Sequence, residues 1–231
     1  MQTSLLLLPG MMCDGRLFAP QIAAFSAERP VMVPPLTGAN TMEALAASIL
    51  AIAPPEFALL GLSMGGIVAM EMIRQAPERV TRLALLDTNA LADPPENAAM
   101  REAQVKRALD GELRSVMRDE MKPNYLADGT RRDAILGLCM EMAEALGPNV
   151  FAAQSAAVQH RPDQRETLKT ADVPTLLMCG EEDRLCPPAR HELMHDLIPG
   201  SKLTLVPNAG HLITLEQPDQ TNEALKEWLK Q

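Results

Sequence analysis

Aromatic residues are scarce in this chain, at 3% of 231 residues, with one Trp, one Tyr and four Phe. Bases and sugar rings are gripped largely by stacking on aromatic faces, so platforms for single-stranded nucleic acid or carbohydrate are in short supply. Positive charge is the minority sign: 21 Lys and Arg against 30 Asp and Glu give a net charge of -9, with no basic cluster. A phosphate backbone would meet repulsion, and no nucleic-acid partner is expected. The four cysteines, Cys13, Cys139, Cys179 and Cys186, show neither CxxC spacing nor a neighbouring His pair. That pattern argues against a zinc site and for reduced thiols, so no metal is expected. No basic segment precedes the short apolar run Leu5 to Leu8, which Pro9 and Gly10 break, and no run approaches the roughly 18 apolar residues of a membrane span. These absences lead us to expect a cytoplasmic protein without a membrane partner.

What is present is an ordinary globular balance, 47% apolar and 22% charged, long enough to bury a single full-sized core. Short apolar runs bounded by turn residues read as strands: Leu5 to Leu8, Val31 to Val33, Phe57 to Leu60, Leu83 to Leu86, Thr175 to Cys179 and Lys202 to Val206. Helical patterns lie between them, among them Thr41 to Ala53 with Thr41 as its cap, Gly65 to Gln75, and a last helix over Gln220 to Leu229. Alternation of this kind predicts an α/β fold, a mostly parallel sheet with helices on both faces.

The alternation lapses from Ala92 to about Thr170. There, Leu109, Leu113, Val116 and Met121 fit one helical face, and Ile135, Leu138, Met142 and Leu146 a second. Asp93-Pro94-Pro95 opens the stretch and Asp172-Val173-Pro174 closes it. The expected organisation is a core of residues 1–91 and 171–231 with an all-helical lid, 92–170, inserted in it; the alternative is that the stretch is simply more of one domain.

Gly61-Leu62-Ser63-Met64-Gly65-Gly66 follows a strand and precedes a helical pattern. This is G-x-S-x-G in the strand-turn-helix setting that gives it meaning: small residues two positions either side let the chain turn sharply and present the Ser63 hydroxyl. The following helix aims unpaired N–H groups at the same point, where a developing oxyanion gains from them. A serine hydroxyl needs a base to become a nucleophile. Of the four histidines, His211 lies in the loop after the strand Lys202 to Val206, at the carboxyl edge where open parallel sheets bind ligands. His191 and His195, four apart on one helical segment, read as solvated helix residues, and His160 in the insertion has no direct warrant. A carboxylate must hold the imidazole, and Asp183, after the strand Thr175 to Cys179, shares the same edge. Asp87, closing the strand Leu83 to Leu86, is its competitor. The oxyanion donors expected are the N–H of Met64 and that of Met11, in the loop after the first strand. Cys13 reads as packing, or at most a redox liability, and Asp14 is a candidate to orient this loop, its role left open by the sequence.

These residues resemble the α/β-hydrolase superfamily, and in particular its compact, lidded, cofactor-free members such as carboxylesterases and 3-oxoadipate enol-lactonases. The carriers are the Leu8-Pro9-Gly10 opening, the Ser63 turn, Ala76-Pro77-Glu78-Arg79-Val80, Leu83-Ala84-Leu85-Leu86-Asp87-Thr88, Cys179-Gly180-Glu181-Glu182-Asp183 and Ala209-Gly210-His211-Leu212. Two departures stand out: Pro9-Gly10 occupies the place of the usual His-Gly, and the N-terminal hairpin of larger members is missing, which implies a reduced sheet of about six strands. The resemblance implies a cofactor-free serine hydrolase of small or medium esters or lactones, acting on a small-molecule substrate as a monomer or homodimer. Carbon–carbon hydrolysis, perhydrolysis, a lyase step and a non-catalytic ligand-binding scaffold are the alternative readings. Arg161 and Arg165, near the end of the insertion, are candidates to meet a small anionic substrate.

Overall fold

A computed structural model describes residues 2–129 and 131–231. Six strands, β1 (Ser4–Leu8), β2 (Val31–Met32), β3 (Phe57–Leu62), β4 (Val80–Leu86), β5 (Thr175–Gly180) and β6 (Lys202–Val206), form one sheet in the order β2-β1-β3-β4-β5-β6. Every neighbouring pair is parallel. The strands are rich in Leu and Ala, which favour helices in isolation, yet four to seven apolar residues between turn formers are too few for a stable helix. Paired in parallel and covered on both faces, the same run buries every side chain, as it does throughout β3 and β5.

The pleat sorts the residues between two cores. Leu6, Leu8, Leu59, Leu83 and Leu85 face α2 (Met42–Ile52) and α3 (Met64–Gln75). Leu5, Leu7, Leu60, Leu86 and Met178 face the other side, with Phe25 of α1 (Ala19–Phe25) and Trp228 from the C-terminal helix Pro218–Trp228. Thr41 caps α2 as its sequence implies, its Oγ1 accepting the Ala44 N–H at 3.1 Å.

From β4 to β5 the described residues are helical or irregular. The principal helices are α4 (Ala98–Arg107) and α5 (Arg132–Gln159). α5 is long and apolar enough to cross a membrane by length and composition, but it is broken at Gly147, whose φ of 81° and following Pro148 bend the chain. The half beyond the bend packs Phe151 into the first core and runs to Gln159. One expected face needs correction: Leu113 and Val116 are buried, but Leu109 is exposed, because Gly111 at φ 99° breaks the helical register between them.

His191 also departs from expectation. It lies on α6 (Pro188–Leu197) and is fully buried under the end of β4, where its Nε2 accepts the Thr88 N–H at 3.1 Å. Burial disfavours the imidazolium and pushes its pKa down to about 4. His195, one turn on, pairs with Ser201 Oγ at 2.8 Å and shares no ligand geometry with it.

Thr41→Ala removes a cap and lowers the unfolding free energy by about 1 kcal/mol in a urea titration, against about 2–5 kcal/mol for Leu60→Ala in the core. For His191, an unfolded imidazole titrates near 6.5, so between that value and about 4 the unfolded chain takes up a proton that the folded chain refuses. Its contribution is complete above about pH 6.5, declines as pH falls, and is fully lost below about 4, a change of about 3 kcal/mol at most. His191→Gln, whose amide oxygen still accepts the Thr88 N–H, flattens that part of the stability–pH curve measured by chemical denaturation.

Candidate active site

β1 connects to β2 on one side of it and pairs with β3 on the other, so the chain reverses its direction of winding between β1 and β3. At such a switch the loops leaving two adjacent strands diverge and open a crevice at the carboxyl edge. Here those loops are Pro9-Gly10-Met11 and the turn at Ser63. Ser63 itself sits at φ 55°, ψ -118°, a backbone that a non-glycine residue adopts only when its surroundings enforce it. The enforcement is visible at Gly65, where a Cβ would fall 2.0 Å from the Leu8 carbonyl oxygen of β1. Only a residue without a side chain lets α3 start this close to the sheet.

The Ser63 Oγ lies 2.8 Å from His211 Nε2, and His211 Nδ1 lies 2.8 Å from Asp183 Oδ2. The other Asp183 oxygen accepts the N–H groups of Leu185 and Cys186, at 2.8 and 2.9 Å. Burial disfavours the Asp183 charge, yet His211 and these two amides outweigh it and hold the carboxyl below the usual aspartate range. The structure thus brings together Ser63, Asp183 and His211. It sends Asp87 elsewhere: fully buried, it accepts the Gly180 N–H and the Ile213 N–H, both at 3.1 Å, and binds no histidine. Burial, and next the Asp183 charge, raise its pKa well above the ordinary value. Asp87 is therefore a buckle between the acid strand and the histidine loop.

Met11 and Met64 both border the cavity at Ser63, and their main-chain N–H groups find no acceptor among the described residues. Asp14 orients the same loop, accepting the Arg16 N–H at 3.0 Å as the cap of a short turn. Cys13 is packed inside, and burial raises its thiol to about 12, beyond reach of nucleophilic use. His160 and Arg165 do not line the cavity, whereas Arg161 does. Gly210 supplies room for the His211 loop, since a Cβ there would lie 2.7 Å from Ala127 N and Tyr125 O.

Three residues of the site carry no signal in the sequence. Gln154, buried on α5, accepts the Met12 N–H and donates to the Leu36 carbonyl, both at 2.8 Å, so it fixes the loop that carries Met11. Glu216 accepts the N–H groups of Gly210 and Leu212 at 3.0 Å and of Ala127 at 2.9 Å, clamping the histidine loop to the insertion. Tyr125, also from the insertion, accepts the His211 N–H on its carbonyl at 2.6 Å and sets its ring edge-on to the imidazole. Each is an ordinary polar or aromatic residue until the fold delivers it.

Asp183, Cys186 and His211 place possible metal-ligand atoms within 4.8 Å of one another, as do Asp87, Cys179 and Asp183. The carboxylates are already engaged by amides and imidazole. Burial raises the Cys186 thiol to about 12 and the Cys179 thiol further, so neither is a ready thiolate. The donor set fits a proton relay better than a cation.

Residues 5–224 match the alpha/beta hydrolase family. Among solved structures, a thermophilic esterase from Thermogutta terrifontis with malate bound is 30% identical and superposes with a TM-score of 0.91, covering 100% of this chain and 90% of that one. The enol-lactonase from Burkholderia xenovorans LB400 is 21% identical and shares the fold, with a TM-score of 0.88 over 100% of this chain and 92% of its own. A pimeloyl-(acyl-carrier protein) methyl ester esterase from Neisseria meningitidis is 29% identical over 160 residues, 66% of this chain. The chain spans about three fifths of the length of such curated relatives, 58% and 61% in two of them. With the strand order, the strained serine turn and the full-length superposition in agreement, this chain belongs to the alpha/beta hydrolase family.

Proposed function

We propose that the protein hydrolyses a small or medium carboxylic ester or lactone through an acyl-enzyme on Ser63. The observation that carries this reading is the unbroken chain of contacts from Ser63 Oγ to His211 to Asp183, two links of 2.8 Å each. It is supported by the esterase names of relatives at 29% and 30% identity. The cavity over Ser63, about 430 Å³, suits a small molecule.

In this reading His211 Nε2 takes the Ser63 proton as Oγ attacks the carbonyl carbon, and the carbonyl oxygen becomes an oxyanion. The N–H groups of Met11 and Met64 receive that charge, without reorganising, because Gln154 and the start of α3 hold them in place. When the intermediate collapses, His211 passes its proton to the leaving alkoxide, so the alcohol departs neutral. A water molecule then gives a proton to the same nitrogen and attacks the acyl carbonyl, and return of that proton to Oγ restores Ser63. Asp183 stays ionised throughout, fixing the tautomer that leaves Nε2 free to accept and stabilising the imidazolium.

Incubation with a fluorophosphonate should add one adduct mass to the protein and none to Ser63→Ala, and p-nitrophenyl acetate turnover should vanish with it. An unlabelled, inert wild-type protein removes this reading and leaves the ligand-binding scaffold in its place. Asp183→Asn should lower kcat roughly ten-thousand-fold by releasing the wrong tautomer. Asp87→Asn, whose amide oxygen still accepts a buried N–H, should fall by far less; equal losses would mean that Asp87 shares the acid's role.

A further inference from the structure

The chain carries a net charge of -9, yet the wall of the cavity over Ser63 is basic. Arg101, Arg161 and Arg190 line it against Asp93 and Glu120, and Glu120 is already taken by Arg107 and by Gln104. Asp93 stands at the start of the insertion and Arg161 at its end. Arg101 donates to both Asp93 oxygens, Nε at 2.7 Å and Nη2 at 3.1 Å, and Arg161 Nη1 forms an ion pair with Oδ1 at 2.9 Å. Two guanidinium groups thus share one carboxylate, and the trio keeps one positive charge.

That charge is costly where it stands. The Arg161 side chain is 8% exposed and Asp93 3%. Burial disfavours the Arg161 charge, and Asp93 offsets this only in part. Arg161 spends Nε on the Leu91 carbonyl and Nη1 on Asp93 and the Val158 carbonyl. Its Nη2 and the Nη1 of Arg101 find no acceptor among the described residues. A buried trio with one net positive charge, and two nitrogens without an acceptor among the described residues, calls for an anion, and two guanidinium groups gathered on one carboxylate leave N–H groups to offer a second.

We propose that the substrate of this site is an ester carrying a carboxylate, in its simplest form the half-ester of a short dicarboxylic acid, with the carboxylate on Arg101 and Arg161 and the ester carbonyl at Ser63. This rests on the hydrolase reading above. The reaction consumes one water and releases the dicarboxylate and the alcohol, and Arg101 and Arg161 take no part in its bond changes. Asp93 tempers the site, leaving one net charge rather than two. Arg165, which shares an exposed ion pair with Asp163 outside the cavity, has no part in it.

The test compares hydrolysis of monomethyl adipate with that of the neutral isostere methyl heptanoate, and monomethyl glutarate with methyl hexanoate, by titrating released acid. The ratio of kcat/KM, anionic over neutral, should exceed about ten in the wild-type protein and fall about tenfold in Arg101→Gln and in Arg161→Gln. Asp93→Asn should raise the ratio, and Arg165→Gln should leave it unchanged. If Arg161→Gln does not fold, the opposite shifts of Arg101→Gln and Asp93→Asn still decide the matter. A ratio at or below one, or one indifferent to Arg101, overturns the proposal while leaving the hydrolase reading intact. Calorimetry on Ser63→Ala separates the two failures: tight binding of monomethyl adipate that Arg101→Gln weakens, where the wild-type protein hydrolyses no ester, sustains the anion site and refutes the hydrolase. Binding no tighter than that of methyl heptanoate refutes the anion site.

Discussion

The close approach of α3 to the sheet at Gly65 is the constraint on which the site depends. A Cβ at that position would sit 2.0 Å from the Leu8 carbonyl oxygen and one at Gly61 2.3 Å from the Gly65 oxygen, so the chain can turn there only because both side chains are missing. The turn forces Ser63 to φ 55°, a conformation that costs about 1–3 kcal/mol and that the two packed cores hold in place. In return the hydroxyl stands proud of the sheet, and the first N–H groups of α3 face the same volume. The raised Ser63 hydroxyl and the unpaired Met64 N–H beside it are thus consequences of one packing contact.

The helical insertion does more than roof this turn. Gln154 ties it to the loop after β1, Tyr125 and Ala127 tie it to the histidine loop, and Arg161 ties its end to its beginning through Asp93. Each tie is a buried hydrogen bond or ion pair, and loss of one partner leaves the other buried and unsatisfied, a penalty of about 1–3 kcal/mol. The Met11 amide, the His211 backbone and the cationic wall are therefore set by the insertion as much as by the sheet. Displacing the insertion would disturb donor geometry and charge together.

Much of the core was legible because its signals are local. An apolar run of four to seven residues between turn formers has one stable outcome when both faces are covered, and all six expected strands lie at the expected places: β6 keeps its bounds, β4 extends from Leu83 back to Val80, and β2 stops one residue short, at Met32. Thr41 announces its helix by chemistry that reaches only to Ala44. In the insertion the same reading loses hold, because Gly111 and Gly147 interrupt helices whose apolar periods continue across them in the sequence. Leu109 and His191 show the two directions of error: an apolar residue turned outward by a break in register, and a polar one buried by what packs over its helix.

By itself the sequence determined the parallel α/β core, the strained serine turn and the chain order Ser63, Asp183, His211, since each follows from residue type and from position at a strand's carboxyl end. Tertiary structure decided the rest. Asp87 and Asp183 are alike in type and in strand position, and only the register of β4 on β5, which puts Leu86 beside Met178, with the path of the loop that follows, gives one the imidazole and the other two backbone amides. Gln154, Glu216 and the Arg101–Asp93–Arg161 trio draw their meaning from partners up to 142 residues away. A hydrogen bond depends on position to within a fraction of an ångström, and over such separations only the packed fold sets position.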